Sequence, residues 1–268
     1  MARPADQLPV VATRGASEAV FAVGAAAAVS TSLWLEAGRR FRRHHLAMVG
    51  SVILVAMVVA VLAGPLVWRY PINEIDFKAK LEGPSWSHPL GTDDLGQDLL
   101  ARMLYGGRIS LAVGIAAMLI AISIGTTIGA TSGFVGGKID NTLMRITDMF
   151  LSLREKEFVE AARGLGAPAF RQMFRHLLPN SMGPVLVAAT IDVAAAIIAE
   201  STLSFLGLGF PPDIPTWGRI LFDAKDNLDF APHWAIFPGT AIFLTVLSIN
   251  YIGDALRDAL DPRKVLGR

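Results

Sequence analysis

Leu46-Ala-Met-Val-Gly-Ser-Val-Ile-Leu-Val-Ala-Met-Val-Val-Ala-Val-Leu-Ala-Gly-Pro-Leu-Val-Trp68 runs without a charge between Arg43 and Arg69. A helix rises about 1.5 Å per residue, so crossing a hydrocarbon layer of ~30 Å takes about 20 residues. The stretch is long enough to be a transmembrane helix over 46–68. Outward from it, Ile109 to Gly137 is uncharged and helical in character over 109–134. Residues 183–200 form a third apolar segment interrupted by Asp192, and 233–252 a fourth whose titratable group is His233. The expectation is an all-α membrane protein with four spans. Composition agrees, with 53% hydrophobic and 18% charged residues and a mean hydropathy of +0.48. Soluble domains carry about 25% charge. The chain has 0 Cys, which excludes disulfides, thiolate metal sites and a Cys nucleophile.

Net charge is +1, so no global field recruits nucleic acid, and the meaning of the charges lies in their placement. Arginines and lysines concentrate in 1–45, 138–180 and 254–268, which hold 17 of the 24. The positive-inside rule places those three segments, and both termini, in the cytoplasm. The other two connections carry Glu74, Asp76, Glu82, Asp93, Asp94 and Asp98, then Asp213, Asp223, Asp226 and Asp229, as an extracytoplasmic face would. Residues 19–35, rich in Ala, Gly and Ser, read as an interfacial helix in a cytoplasmic N-terminal segment 1–45, with a weak additional span as the alternative, and the transmembrane domain covers 46–268.

The loop 154–180 holds two amphipathic repeats. Phe158, Ala162 and Leu165 fall at i, i+4, i+7, and Phe170, Met173, Phe174 and Leu177 at i, i+3, i+4, i+7. Gly166 suits a left-handed helix cap, Pro168 the next first turn, and Pro179 a stop. Two short helices with a dense mixed-sign face could dock on another protein or simply be solvated. Asp93 or Asp94 can cap a helix from Leu95 to Tyr105 that Gly106-Gly107 ends, and Leu256 and Leu260 suit a short terminal helix before Pro262. Gly207, Gly209, Pro211, Pro212 and Pro215 forbid a long helix and imply a surface-lying or reentrant piece. Gly125, Gly129 and Gly133 repeat every four residues, a face that lets another backbone approach. Asp192 sits mid-span, either facing a wet pathway or bonded to a hydroxyl such as Thr190, and Glu200 reads as an interfacial group that could border the same pathway.

Glu160-Ala161-Ala162, then Gly166, Phe170 and Leu178-Pro179 resemble the Glu-Ala-Ala loop of permease subunits in bacterial ABC importers. His88-Pro-Leu-Gly-Thr-Asp-Asp-Leu-Gly-Gln-Asp98, Glu200-Ser-Thr-Leu-Ser-Phe-Leu-Gly-Leu-Gly209 and Gly253-Asp-Ala-Leu-Arg-Asp-Ala-Leu-Asp-Pro-Arg263 are similar to the C-type permease of the dipeptide/oligopeptide (nickel) branch, with Gln97 where Arg is usual. The resemblance implies a type I transmembrane domain whose coupling loop seats Glu160, Ala161, Ala162, Gly166, Phe170, Leu178 and Pro179 on an ATPase. It also implies a homologous second permease, two ATPase subunits that use ATP and Mg, an extracytoplasmic binding protein, surrounding lipid, and a bacterial inner-membrane location.

The chain has no phosphate-binding Gly-x-x-x-x-Gly-Lys-[Ser/Thr] loop and no zinc spacing among its His residues, so it is expected to bind no cofactor and not to be an enzyme. The family has six spans. After Leu153 the chain passes at once into Arg154-Glu-Lys-Glu157, so a hairpin of two spans, roughly 40 to 45 residues, is missing. Peptide import is therefore weighed against a shortened, non-conducting membrane scaffold.

Overall fold

A computed structural model of the chain describes residue 35 and residues 37–135 and 178–260, with side chains to 129 and again from 182. Residues 37–43 are helical. Helices α1 (His45–Val67), α2 (Leu99–Val135), α3 (Leu178–Phe205), α4 (Trp217–Ala224) and α5 (His233–Leu260) follow, with 3-10 turns at Phe77–Ala79 and Lys225–Asn227. Among the described residues there is no strand, only an isolated bridge between Thr92 and Asp98. Four helices, all but α4, are long and apolar enough to cross a membrane, as expected from the sequence.

Helix α3 packs against both α2 and α5, and α1 packs against α5 and α2. The bundle is inverted relative to a soluble protein. Ser110, Thr245 and Ser248 are buried, while Val52, Val55 and Val59 of α1 and Leu119, Ile120 and Ile124 of α2 face outward. In hydrocarbon, apolar surface gains little by hiding, whereas polar groups need internal partners. Small residues let backbones meet: a Cβ on Gly50 would lie 3.1 Å from the Ser248 carbonyl oxygen, where α1 meets α5.

Three expected boundaries change. The helix that holds the second apolar segment begins at Leu99, and Gly106-Gly107 lie inside α2 instead of ending a separate helix. They are places of close approach: a Cβ on Gly106 would lie 2.9 Å from the Pro215 carbonyl oxygen, and one on Gly107 2.6 Å from Val61. Arg108 stays helical because acceptors await it. Its Nε donates to the Val61 carbonyl at 2.8 Å and its Nη2 to the Leu62 carbonyl at 2.6 Å. Pro65 has no N–H to offer Val61, four residues earlier, so α1 leaves that carbonyl free and Arg108 fills the gap.

The cap of α2 is Asp98, not Asp93 or Asp94. Its Oδ1 accepts from the Ala101 N–H at 2.7 Å, while Asp93 Oδ1 closes a tight turn by accepting from Leu95 and Gln97. The third helix runs to Phe205 and ends in a Schellman motif. Leu208 N–H donates to Leu203 and Gly207 N–H to Ser204, with Gly207 at φ 79°. Leu178 and Pro179 stand in the first turn of α3, where a missing N–H leaves no bond unmade. Helix α5 continues unbroken to Leu260, so the expected short terminal helix is its last turns.

Candidate functional site

Residues 68–98 and 206–232 meet at one end of the bundle and form a folded cap. Its core holds Leu99, Met103, Trp217, Ile220 and Trp234, with Trp217 and Trp234 each 1% exposed. Thr216 caps α4 by accepting from the Arg219 N–H, and the Trp217 indole N–H donates to the Met103 carbonyl at 3.1 Å. The surface-lying piece expected from the Gly and Pro residues of 207–215 is therefore an irregular arm that delivers α4 onto α3 and α5. Asp98 ties the first loop down as well: its Oδ1 accepts from the Trp68 indole at 2.8 Å and its Oδ2 pairs with His88 Nδ1 at 2.8 Å.

A cleft of about 500 Å³ opens in the cap beside Asp93, Asp94, Arg102, Asp213, Asp223 and Asp226. Arg102, in the first turn of α2, is its buried hub. It lies 3.7 Å from Asp93 and 3.6 Å from Asp223, and it donates to the Gln97 amide oxygen and to the Pro212 carbonyl. One guanidinium thus joins the first loop, α2, the irregular arm and α4. Gln97 supplies a neutral acceptor there. No local pattern marks Arg102 as this hub; an arginine one turn after an aspartate cap is the signal the sequence offers.

Burial raises the Asp93 carboxyl above 3.8, against the lowering effect of the Gln97 and Leu95 amides and of Arg102. Burial likewise raises Asp223, opposed by Arg219 and Arg102. A carboxyl whose folded value lies above its unfolded one takes up its proton first in the folded state, so its contribution to stability is present in acid and fades as pH rises through the raised value. On acidification toward the ordinary carboxylate range, the thermal midpoint of the Asp223→Asn protein should accordingly shift less favourably than that of wild type. Equal pH dependence of the two proteins would show that Asp223 titrates as it does in the unfolded chain.

Glu200 is buried at the inner edge of the cap, where Oε1 accepts from Ser204 Oγ at 2.8 Å and Oε2 from Ser110 Oγ at 3.2 Å, while Ser110 Oγ accepts from the Trp217 N–H at 3.3 Å. This network joins α2, α3 and α4 and satisfies the carboxylate by hydroxyls. Asp192 is half-buried and has no hydrogen-bond or ion-pair partner among the described residues. Thr190 does not serve it: its hydroxyl donates to the Val187 carbonyl at 2.8 Å. Nothing lies within 4 Å of a Cβ built on Gly125 or Gly129, so the expected close packing there is not made among the described residues. Gly133 is in α2, its surroundings undescribed. Glu160, Ala161, Ala162, Gly166 and Phe170 lie outside the described residues, as does the segment 19–34.

The family described as "Binding-protein-dependent transport system inner membrane component" matches residues 142–265, and "N-terminal TM domain of oligopeptide transport permease C" matches residues 32–84. A peptide permease protein of Brucella suis is 38% identical, covering 91% of this chain and 96% of its own length. The glutathione transport system permease protein GsiD of Escherichia coli O157:H7 is 36% identical over 86% of this chain and 90% of its own length. The dipeptide transport system permease protein DppC of Alkalihalophilus pseudofirmus is 35% identical over 87% and 91%.

The Brucella alignment spans 289 positions, whereas 91% of 268 residues is about 244, so about 45 positions of the relative face no residue here. For GsiD the same comparison sets 274 positions against about 230 residues. The shortfall has the length of the expected missing hairpin. With four membrane-length helices and relatives of this kind covering most of its length, the chain is a multi-pass inner-membrane protein and belongs to the dipeptide/oligopeptide family of ABC permease subunits.

Proposed function

We propose that this chain is the permease subunit of an ATP-driven importer that moves di- or oligopeptides inward. The observation that carries this reading is the similarity to peptide, dipeptide and glutathione permeases over 86–91% of the chain. In it the acid-rich cap faces outside, and both termini and the loop 154–180 face the cytoplasm, as the placement of basic residues supports. The chain itself holds no cofactor. Two partner subunits bind and hydrolyse ATP with Mg, a second permease completes the pathway, and an external binding protein delivers substrate. Glu160, Ala161, Ala162, Gly166, Phe170, Leu178 and Pro179 transmit closure of the ATPases to α3, which begins at Leu178. Asp192, lacking a partner among the described residues and set in a span, borders the pathway.

A second reading is a non-conducting scaffold of the same complex. The roughly 45 unmatched positions favour it. Proteoliposomes holding this chain with its second permease, ATPases and binding protein should take up a labelled dipeptide on addition of ATP. Uptake only by a version carrying a two-span hairpin after Leu153 would establish the scaffold instead.

A further inference from the structure

Trp86 is 103% exposed, at the tip of a turn that none of the described residues covers. Exposure of so large an apolar ring is unfavourable unless something meets it. The turn is not loose. Ser85 N–H donates to the His88 carbonyl at 2.8 Å, His88 N–H donates to Ser85 Oγ at 3.1 Å, and the two serine hydroxyls of 85 and 87 lie 3.0 Å apart. Its base is closed by Thr92 N–H on the Glu82 carbonyl at 3.0 Å and Leu81 N–H on the Asp93 carbonyl at 2.9 Å. His88, one face against Tyr70, ties the whole hairpin to the start of α2 through Asp98. The tryptophan is therefore presented on a rigid mount, the arrangement that lowers the ordering cost of association and marks binding hot spots.

The surface around it decides between occupants. Residues 69–98 and 206–232 carry ten Asp and Glu against five Lys and Arg; Asp93 and Asp98 are buried, which leaves eight acidic against five basic groups at the surface, and the cleft begins at Asp93, at the foot of this hairpin. Anionic headgroups repel such a face, although a lone tryptophan suits a membrane interface. A protein with a basic face is attracted to it.

We infer that Trp86 is the anchor by which the cap holds the basic face of the extracytoplasmic binding protein. The inference rests on the importer reading above. Its test uses the assembled transporter in nanodiscs and the binding protein of the same system. Trp86→Ala should assemble to wild-type yield, because the ring packs on none of the described residues, yet bind at least about tenfold more weakly, with Trp86→Phe in between. Wild-type affinity should fall as salt is added. Equal affinity of wild type and Trp86→Ala would overturn the anchor alone. Quenching by brominated lipid that disappears in Trp86→Phe would also overturn it, since the ring would then lie in the bilayer. A wild-type transporter that binds no binding protein would overturn the importer reading and the anchor together.

Discussion

Replacing Trp217 with alanine should lower the stability of the cap by about 3–5 kcal/mol, the usual cost of truncating a fully buried aromatic residue. Trp217 is 1% exposed and central to the cluster that includes Leu99, Met103, Ile220 and Trp234. Its neighbours cannot collapse onto the space it leaves. A Cβ on Gly218 would already lie 2.5 Å from the Ser201 carbonyl oxygen, so α4 is against α3 with no slack, and Gly107 of α2 meets the Trp217 ring from the other side. The loss should be largest in the cap; the same cluster reaches Val61 of α1 and Ala241 of α5, while Ala194, Ile197 and Ile249 form a second cluster between the spans. The purified variant should therefore keep its helical circular dichroism while the regions around 68–98 and 206–232 become readily cleaved by protease. Cleavage at the wild-type rate would show that the cap is held by its polar network rather than by this indole.

Gly166→Pro should reduce stimulation of the partner ATPases to the basal level without affecting membrane insertion. Proline removes an N–H and fixes φ near −65°, so it cannot take the left-handed conformation that a glycine cap between two helices requires. Insertion is driven by the apolar spans, none of which includes residue 166. ATPase stimulation equal to wild type in the assembled transporter would remove residues 154–180 from the coupling role.

Both experiments touch features that differ in how legible they are from sequence. The spans were legible because 20 apolar residues in a row have few physical alternatives, and the four membrane-length helices overlap the predicted segments. Their ends were less so. Gly106-Gly107 and Arg108 carry the local marks of a helix stop, yet α2 runs through them because Pro215, Val61, Trp217 and the carbonyl freed by Pro65 lie against them. Glu200 looked interfacial by position, and is buried because Ser110 and Ser204 supply hydroxyls from two helices.

The sequence by itself determined that this is a multi-span helical membrane protein of the peptide-permease family, since hydropathy and short ordered motifs are local properties of the chain. Only the tertiary structure decided that Arg102, Asp93 and Asp223 share one cleft, that Asp98 caps α2 while holding Trp68 and His88, and that Trp86 is left bare on a stiff turn. Those pairings join residues from nine to more than a hundred positions apart. Which polar groups meet there depends on how the helices pack, and no local pattern encodes that.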